Sequence, residues 1–320
     1  MQFQILINNL TNPTLLFFLL GIIAVRLKSD LEIPESSSKF ISLYLLFAIG
    51  FKGGQELAVS GVNAQIVYAL LFGFALAAII PFYTFHILKR KLGFSDAGAI
   101  AASYGSVSAV TFVAAISFLE LQKIHSGGHM VAVMALMESP AIIVGVMLMM
   151  HYDKENQESS NVSIASIAKH SLTNGSVLMI FGSLVIGLIA DVKQAEGIKP
   201  FTNDIFKGFL SIFLLEMGMV TARRFSAFLK YGWFVTLFAI VIPAINGSMV
   251  AYGSQFITTE IGDRFIFAVL AASASYIAVP AAMRIAAPKA DPGLYVPMAL
   301  GVTFPFNITI GMPLYYMIIQ

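Results

Sequence analysis

Four hydroxyls fall within nine residues of an otherwise apolar run: Ser103, Ser106, Ser108 and Thr111 of AASYGSVSAVTFVAA (101–115), with Gly105 among them. A second stretch, AASASYIAVPAA (271–282), repeats the opening Ala-Ala-Ser, carries Ser273, Ser275 and Tyr276, and contains Pro280. Glycine weakens a helix and proline interrupts it. An interruption leaves N–H and C=O groups without helical partners. The N-terminus of a half-helix suits an anion, and freed carbonyls and hydroxyls suit a hard cation such as sodium. The two stretches therefore read as interrupted helices that meet near a membrane midplane and hold a small solute. The plainer reading is that small residues permit close helix packing and the hydroxyls bond their own backbone. Two related stretches, each with a breaker, favour the site.

Ionisable groups inside apolar runs are few. Glu138 lies in LMESPAI before Pro140, and Glu216 lies in LLEMGM. A carboxylate at membrane depth is costly and so a functional candidate by default. Asn307, in PFNIT after Pro305, could supply a neutral ligand. Lys52, in GFKGG near a helix end, is expected to snorkel. His125 and His129 are four apart, but Gly127 and Gly128 between them oppose a helical metal pair. His86, His151 and His170 fall at the edges of apolar runs. The sequence holds no phosphate loop and no Ser-His-Asp order. Ser106 with Glu138 is the one nucleophile–base pair an intramembrane enzyme could use, so catalysis is the minority expectation. No cofactor is expected beyond a coupling ion.

The elements that must position these residues are membrane helices. The chain is 58% hydrophobic and 11% charged over 320 residues, with a mean hydropathy of +0.83. Soluble domains carry roughly 25% charged residues. The net charge of +2 gives no reason to expect nucleic acid, and the lack of cysteine excludes disulfides and thiolate metal sites. The first thirteen residues carry no lysine or arginine, so the first apolar run reads as a retained helix rather than a cleaved signal. Spans of about 20 apolar residues are predicted near 13–27, 38–58, 63–88, 97–119, 128–151, 172–192, 203–222, 230–257, 264–286 and 293–319. Pro81 and Pro243 fall inside the third and eighth. The one long polar stretch, 152–170, reads as a linker between a first repeat (1–151) and a second (171–320).

The two halves echo each other in order. LYLLFAIGFKGG (43–54) answers IFLLEMGMVTA (212–222), Pro81 answers Pro243, and AIAAS (99–103) answers AVLAAS (268–273). MALMESPAIIVGVML (134–148) likewise answers MALGVTFPFNITIGMPL (298–314). A duplicated five-helix unit explains this. An odd number of spans per unit makes the copies antiparallel, the inverted-repeat plan of secondary transporters. Thirteen of the nineteen lysines and arginines fall on one side of the predicted spans. That side should be cytoplasmic, with both termini outside and the linker inside.

These residues resemble the sodium-dependent bicarbonate permease family, the single-component bicarbonate importers known from cyanobacteria. The resemblance rests on FKGGQEL (51–57), YGSVSAVTFVAA (104–115), MESPAIIV (137–144), GFLSIFLLEMGMVTAR (208–223), AASASYIAVPAAMRIA (271–286) and KADPGLYVP (289–297). It implies ten transmembrane helices as two inverted five-helix repeats. Segments one, two, six and seven would form a scaffold, and the rest a core. It also implies bicarbonate and sodium bound where segments four and nine break. The corresponding residues are Ser106, Ser108, Thr111, Ser273 and Ser275, with Gly105 and Tyr276 beside them and sodium at Ser106, Thr111 and Ser275. A homotrimer in the inner membrane and a cytoplasmic regulator of the PII type are further expectations. The chain departs from the family pattern at three places. Tyr276 stands where an aspartate is expected, Ala278-Val279-Pro280 replaces Gly-Pro-Pro, and Glu138 replaces an aspartate. Either Glu138 supplies the missing counter-charge or the solute is another small anion. A membrane sensor that binds the anion but transports little is the alternative.

Overall fold

The computed structural model describes residues 11–61, 63–152, 165, 169 and 173–320. Most of the linker, with His170, and the start of the chain lie outside the described residues. Among those described, the chain is helical throughout, with no strand and twelve helices that matter here. They are α1 Pro13–Arg26, α2 Glu35–Ser60, α3 Ala64–Leu88, α4 Phe94–Gly105, α5 Ala109–Leu121 and α6 His129–Tyr152. After the linker come α7 Gly175–Ile189, α8 Phe206–Phe228, α9 Trp233–Gly253, α10 Ile261–Ala272, α11 Ala278–Ala286 and α12 Pro292–Ile319. Their positions match the predicted apolar segments to within a few residues. By length and composition, six spans could cross a membrane: α3, α4–α5, α6, Pro200–Phe225, α9 and α12. α1 and α7, with 14 and 15 residues, are shorter apolar helices.

The fold subordinates every other helix to the interrupted ones. In the Phe94–Leu121 span, 83% of the most apolar window is buried, against 33% for α3. α10 is buried along almost its whole length. α3 and α6 enclose α4, and α9 and α12 enclose α10. Large apolar side chains such as Leu71, Phe74 and Phe82 of α3, or Leu178 and Phe181 of α7, face outward. That is the expected surface of a protein solvated by lipid.

Two helix pairs stand apart from this centre, α1 with α8 and α2 with α7. Their backbones meet at glycines. A Cβ on Gly21 would strike the carbonyl of Leu215, and one on Gly218 the carbonyl of Phe18. A Cβ on Gly187 would strike the carbonyl of Phe51, and one on Gly54 the carbonyl of Leu184. Gly50 and Gly54 form the small-xxx-small spacing that lets membrane helices approach this closely.

On the linker side, Asp291 gathers three helix ends. Its carboxylate accepts the Gly293 N–H at 2.7 Å, capping α12, and the Tyr231 hydroxyl at 2.6 Å. Its own N–H donates to Asp96 at the start of α4, at 2.8 Å. The hydrogen bond to Asp291, with a smaller contribution from desolvation, holds the Tyr231 phenol up at about 12.

Candidate functional site

The first interruption runs from Ser106 to Ser108. α4 ends at Gly105, which packs on the Pro81 ring of α3 and lies 3.2 Å from the Ala141 Cβ of α6, measured from where its own Cβ would be. Ser106 and Ser108 are extended, and the Ser108 hydroxyl accepts the Thr111 N–H at 3.2 Å, so α5 starts with a side-chain cap. The second interruption runs from Ser273 to Ile277, with Ser273 extended. It comes earlier than Pro280 suggests. Pro280 is the third residue of α11, in a first turn whose N–H groups have no helical acceptor, so the ring fits there at little cost. The proline opens the second half-helix; it does not make the break.

The two interruptions are bonded to each other. The Ser275 N–H donates to the Ser103 carbonyl at 2.8 Å, and the Ser103 hydroxyl donates back to the Ser275 carbonyl. The Ser108 N–H donates to the Ser273 hydroxyl at 3.1 Å, and that hydroxyl donates to the Leu270 carbonyl at 2.8 Å. Residues 103 and 108 thus pair with 275 and 273, so the last turn of α4 and the first break run antiparallel to the second break. Backbone groups released by the breaks are partly satisfied across the crossing, as burial demands.

Beside the crossing lies a small cavity of about 20 Å³. Val107, Ser108 and Ala109 line it from the first break, Ser275, Tyr276 and Ile277 from the second, and Met134 and Glu138 from α6. Leu46 of α2 also lines it, as do Ser176 and Ile180 of α7. Such a volume holds one water-sized group. Glu138 is the one acidic side chain lining it, and no lysine, arginine or histidine does. The N-termini of α5 and α11 both begin at this crossing, so their unpaired N–H groups give the positive potential that side chains do not.

The remaining candidates sort by how their polar groups are used. The Ser106 hydroxyl is fully buried and has no hydrogen-bond partner. Thr111 is buried one turn into α5. Tyr276 reaches across to α8, its hydroxyl 3.8 Å from the Met217 sulfur. Glu216 sits on α8 next to that methionine, with one carboxylate oxygen buried and unpartnered. Asn307 lies behind the site. Its Nδ2 donates to the Ala272 carbonyl at 2.7 Å and its Oδ1 accepts the Tyr315 hydroxyl at 3.0 Å. Asn246 does the same for the neighbouring Ala271 carbonyl at 3.2 Å. These two amides cap the broken end of α10.

Three features escape a reading of the sequence. Ser139 is buried beside Glu138 with an unpartnered hydroxyl, a position that Pro140 marks only indirectly. Ser176 lines the cavity from a segment with no other polar signal. The partner of half-exposed Lys52 is the third: its Nζ lies 3.6 Å from Glu120 of α5, far along the chain. His129 pairs with Asp263 at 3.4 Å, and Asp263 also accepts the Gly127 N–H at 2.6 Å, so this histidine ties the start of α6 to the start of α10.

Residues 13–320 match the family model described as the Na+-dependent bicarbonate transporter superfamily. No curated protein matches the chain. Since the match runs from the first turn of α1 to the last residue of the chain, the protein belongs to the Na+-dependent bicarbonate transporter superfamily, a family of membrane transporters and not of enzymes.

Proposed function

We propose that this protein is a secondary transporter that imports bicarbonate, or a small monoanion like it, together with sodium. The observation that carries the reading is the bonded crossing of two helix breaks beside a cavity whose one acidic side chain is Glu138. Ionised Glu138 opposes a lone anion there. At about 5 Å and an effective dielectric of about 20, the repulsion is roughly 3 kcal/mol. A sodium ion bound between them turns that repulsion into two attractions. The half-helix N-termini and the Ser106 hydroxyl serve the anion, and Glu138 with Ser106, Thr111 and Ser275 serves the cation. Coupling then follows from charge: neither ion binds well without the other.

The cavity is too small for bicarbonate in this state, so it must widen as the core moves against the scaffold. α1, α2, α7 and α8 form the scaffold in this reading, and α3–α6 with α9–α12 form the core, giving ten spans as two inverted repeats of five. The reciprocal glycine contacts support it: Gly21 and Gly187 occupy equivalent places, as do Gly54 and Gly218. The excess of basic residues on the linker side supports a cytoplasmic linker with both termini outside, in the plasma (inner) membrane.

Radiolabelled bicarbonate uptake into proteoliposomes, with and without an inward sodium gradient, tests the proposal. Sodium-stimulated uptake that Ser106→Ala combined with Ser275→Ala abolishes is expected. Uptake indifferent to sodium removes the coupling. Binding without flux points to a sensor, and uptake indifferent to the double substitution removes the site.

A further inference from the structure

The face opposite the linker carries an arrangement that the crossing does not explain. Glu120, at the end of α5, lies between two lysines of other helices. Lys52 Nζ of α2 is 3.6 Å from its Oε1, and Lys207 Nζ of α8 is 3.1 Å from its Oε2. Each lysine takes one oxygen of a single carboxylate. All three line a cavity of about 350 Å³ with Thr202 and Asn203. Asp204 lines it too but forms no ion pair with either lysine.

α5 carries both this carboxylate and the site. Ser108 caps its first turn and Glu120 ends it, twelve residues or about 18 Å away. On the proposed reading, on which this inference rests, α5 belongs to the moving core, and α2 and α8 belong to the scaffold. Movement that opens the site toward this face withdraws Glu120 from the lysines. Two ammonium groups then flank the opened path without the carboxylate that bridges them, Glu56 beside Lys52 and Asp204 beside Lys207 being the acidic groups left near them. Bicarbonate offers the same planar, two-oxygen, singly charged group that Glu120 offers now.

We propose that Lys52 and Lys207 form an outer subsite for a small carboxylate-like anion, and that Glu120 occupies it as a tethered competitor in the state seen here. The subsite gathers the anion when the outer path is open. Glu120 displaces it as the path closes, which favours passage inward over escape.

The charge logic gives opposite signs for the two kinds of variant. The chain has no cysteine, so Asn203→Cys places a single thiol at the cavity. Its reaction rates with an anionic and a cationic methanethiosulfonate, applied from the outer face, give a ratio that reports the local charge. Exposed ion pairs are worth about 0.2–1 kcal/mol, which converts to about 1.4- to 5-fold. Lys52→Gln and Lys207→Gln should each lower the anionic-to-cationic ratio by such a factor, and Glu120→Gln should raise it. In uptake assays the lysine variants should raise the half-saturating bicarbonate concentration with little change in maximal rate, Lys52→Arg should restore it, and Glu120→Gln should lower it. A clasp with only a structural role would shift all three glutamine variants in the same direction, and that result overturns the proposal. An unchanged thiol ratio overturns it as well. If the parent protein takes up no bicarbonate, the proposed substrate fails, but the thiol ratio, measured without transport, still decides the subsite.

Discussion

Gly105→Ala is the substitution that asks most of the site. The residue closes α4 one position before the first break, against the Pro81 ring of α3. A methyl there would overlap the ring's Cγ and Cδ, and it cannot turn aside because the Ala141 Cβ of α6 is 3.2 Å away. A proline ring within a helix does not swing clear as a long side chain would. Overpacking of this kind costs about 1–3 kcal/mol. Its consequence should reach the crossing, since Ser103, two residues upstream, holds Ser275 by two hydrogen bonds, and Ser108, three downstream, holds Ser273. Losing one or two of these adds about 1 kcal/mol each, so a total loss of about 2–5 kcal/mol is expected. Denaturing-detergent titration of the protein in mixed micelles measures it, and sodium-driven uptake should fall in parallel. Pro81→Ala removes the clashing atoms and restores a helical N–H, so the double variant should recover at least half of the loss. The coupling energy should be about 1–2 kcal/mol. Energies that simply add, to within about 0.5 kcal/mol, would refute the claim that this contact sets where the helix breaks.

Three further outcomes follow from how each polar group is used. Asn307→Ala should cost about 1–3 kcal/mol, because it strands the Ala272 carbonyl, while the Tyr315 hydroxyl keeps the Pro243 carbonyl; saturating bicarbonate should not rescue it, whereas rescue would make Asn307 a ligand. Ser106→Ala should leave stability unchanged or slightly raised, since its buried hydroxyl has no partner, yet lower uptake at least tenfold. Ser103→Ala should lower stability by about 0.5–1.5 kcal/mol, and equal melting curves for these two serine variants would contradict the assignment. Glu138→Gln should remove the anion–carboxylate repulsion and with it the need for sodium, read as a flat sodium dependence of uptake; an unchanged sodium dependence would move the counter-charge elsewhere, with Glu216 the next to test.

The helical class and the placing of the apolar segments were legible because lipid forces every buried backbone group into a helix, and apolar length then reveals the segment. The two breaks were legible from local chemistry. Gly105 with its flanking serines marks the first, and the second AAS stretch marks the other. What could not be read was which breaker breaks. Pro280 looks decisive in a sequence, but a proline in a first turn costs little, and the chain leaves the helix at Ser273 instead. The roles of Asn307 and Lys52 were hidden for a different reason. Both depend on partners far along the chain, Ala272 for one and Glu120 for the other. A side chain's type shows that it needs a partner. Only the packing shows whether that partner is protein or solute, and Ser106 and Asn307, equal candidates by sequence, separate on that point alone.

The scaffold contacts say something about the proposed repeats that the repeats themselves do not. α1 packs on α8, and α2 packs on α7, so the close backbone approaches of these two pairs join one proposed copy to the other. A glycine face without its partner exposes backbone to lipid and gains nothing from the missing side chains. Each copy therefore completes its own packing only by lending a helix to the other. The crossing joins the halves in the same way, since Ser103 and Ser108 bond Ser275 and Ser273, while the Ser108 hydroxyl also caps α5 within its own half. On the proposed repeats, the molecule is built from exchanged parts. In the scaffold the exchange is made through glycine and backbone, which permits one tight geometry. At the crossing it is made through three hydrogen bonds from the end of α4 and the first break to the second break, and beside them sit an idle hydroxyl and a lone carboxylate. That contrast assigns rigidity to the α1–α8 and α2–α7 pairs and leaves the adaptable contacts at the point where a passing ion would need them.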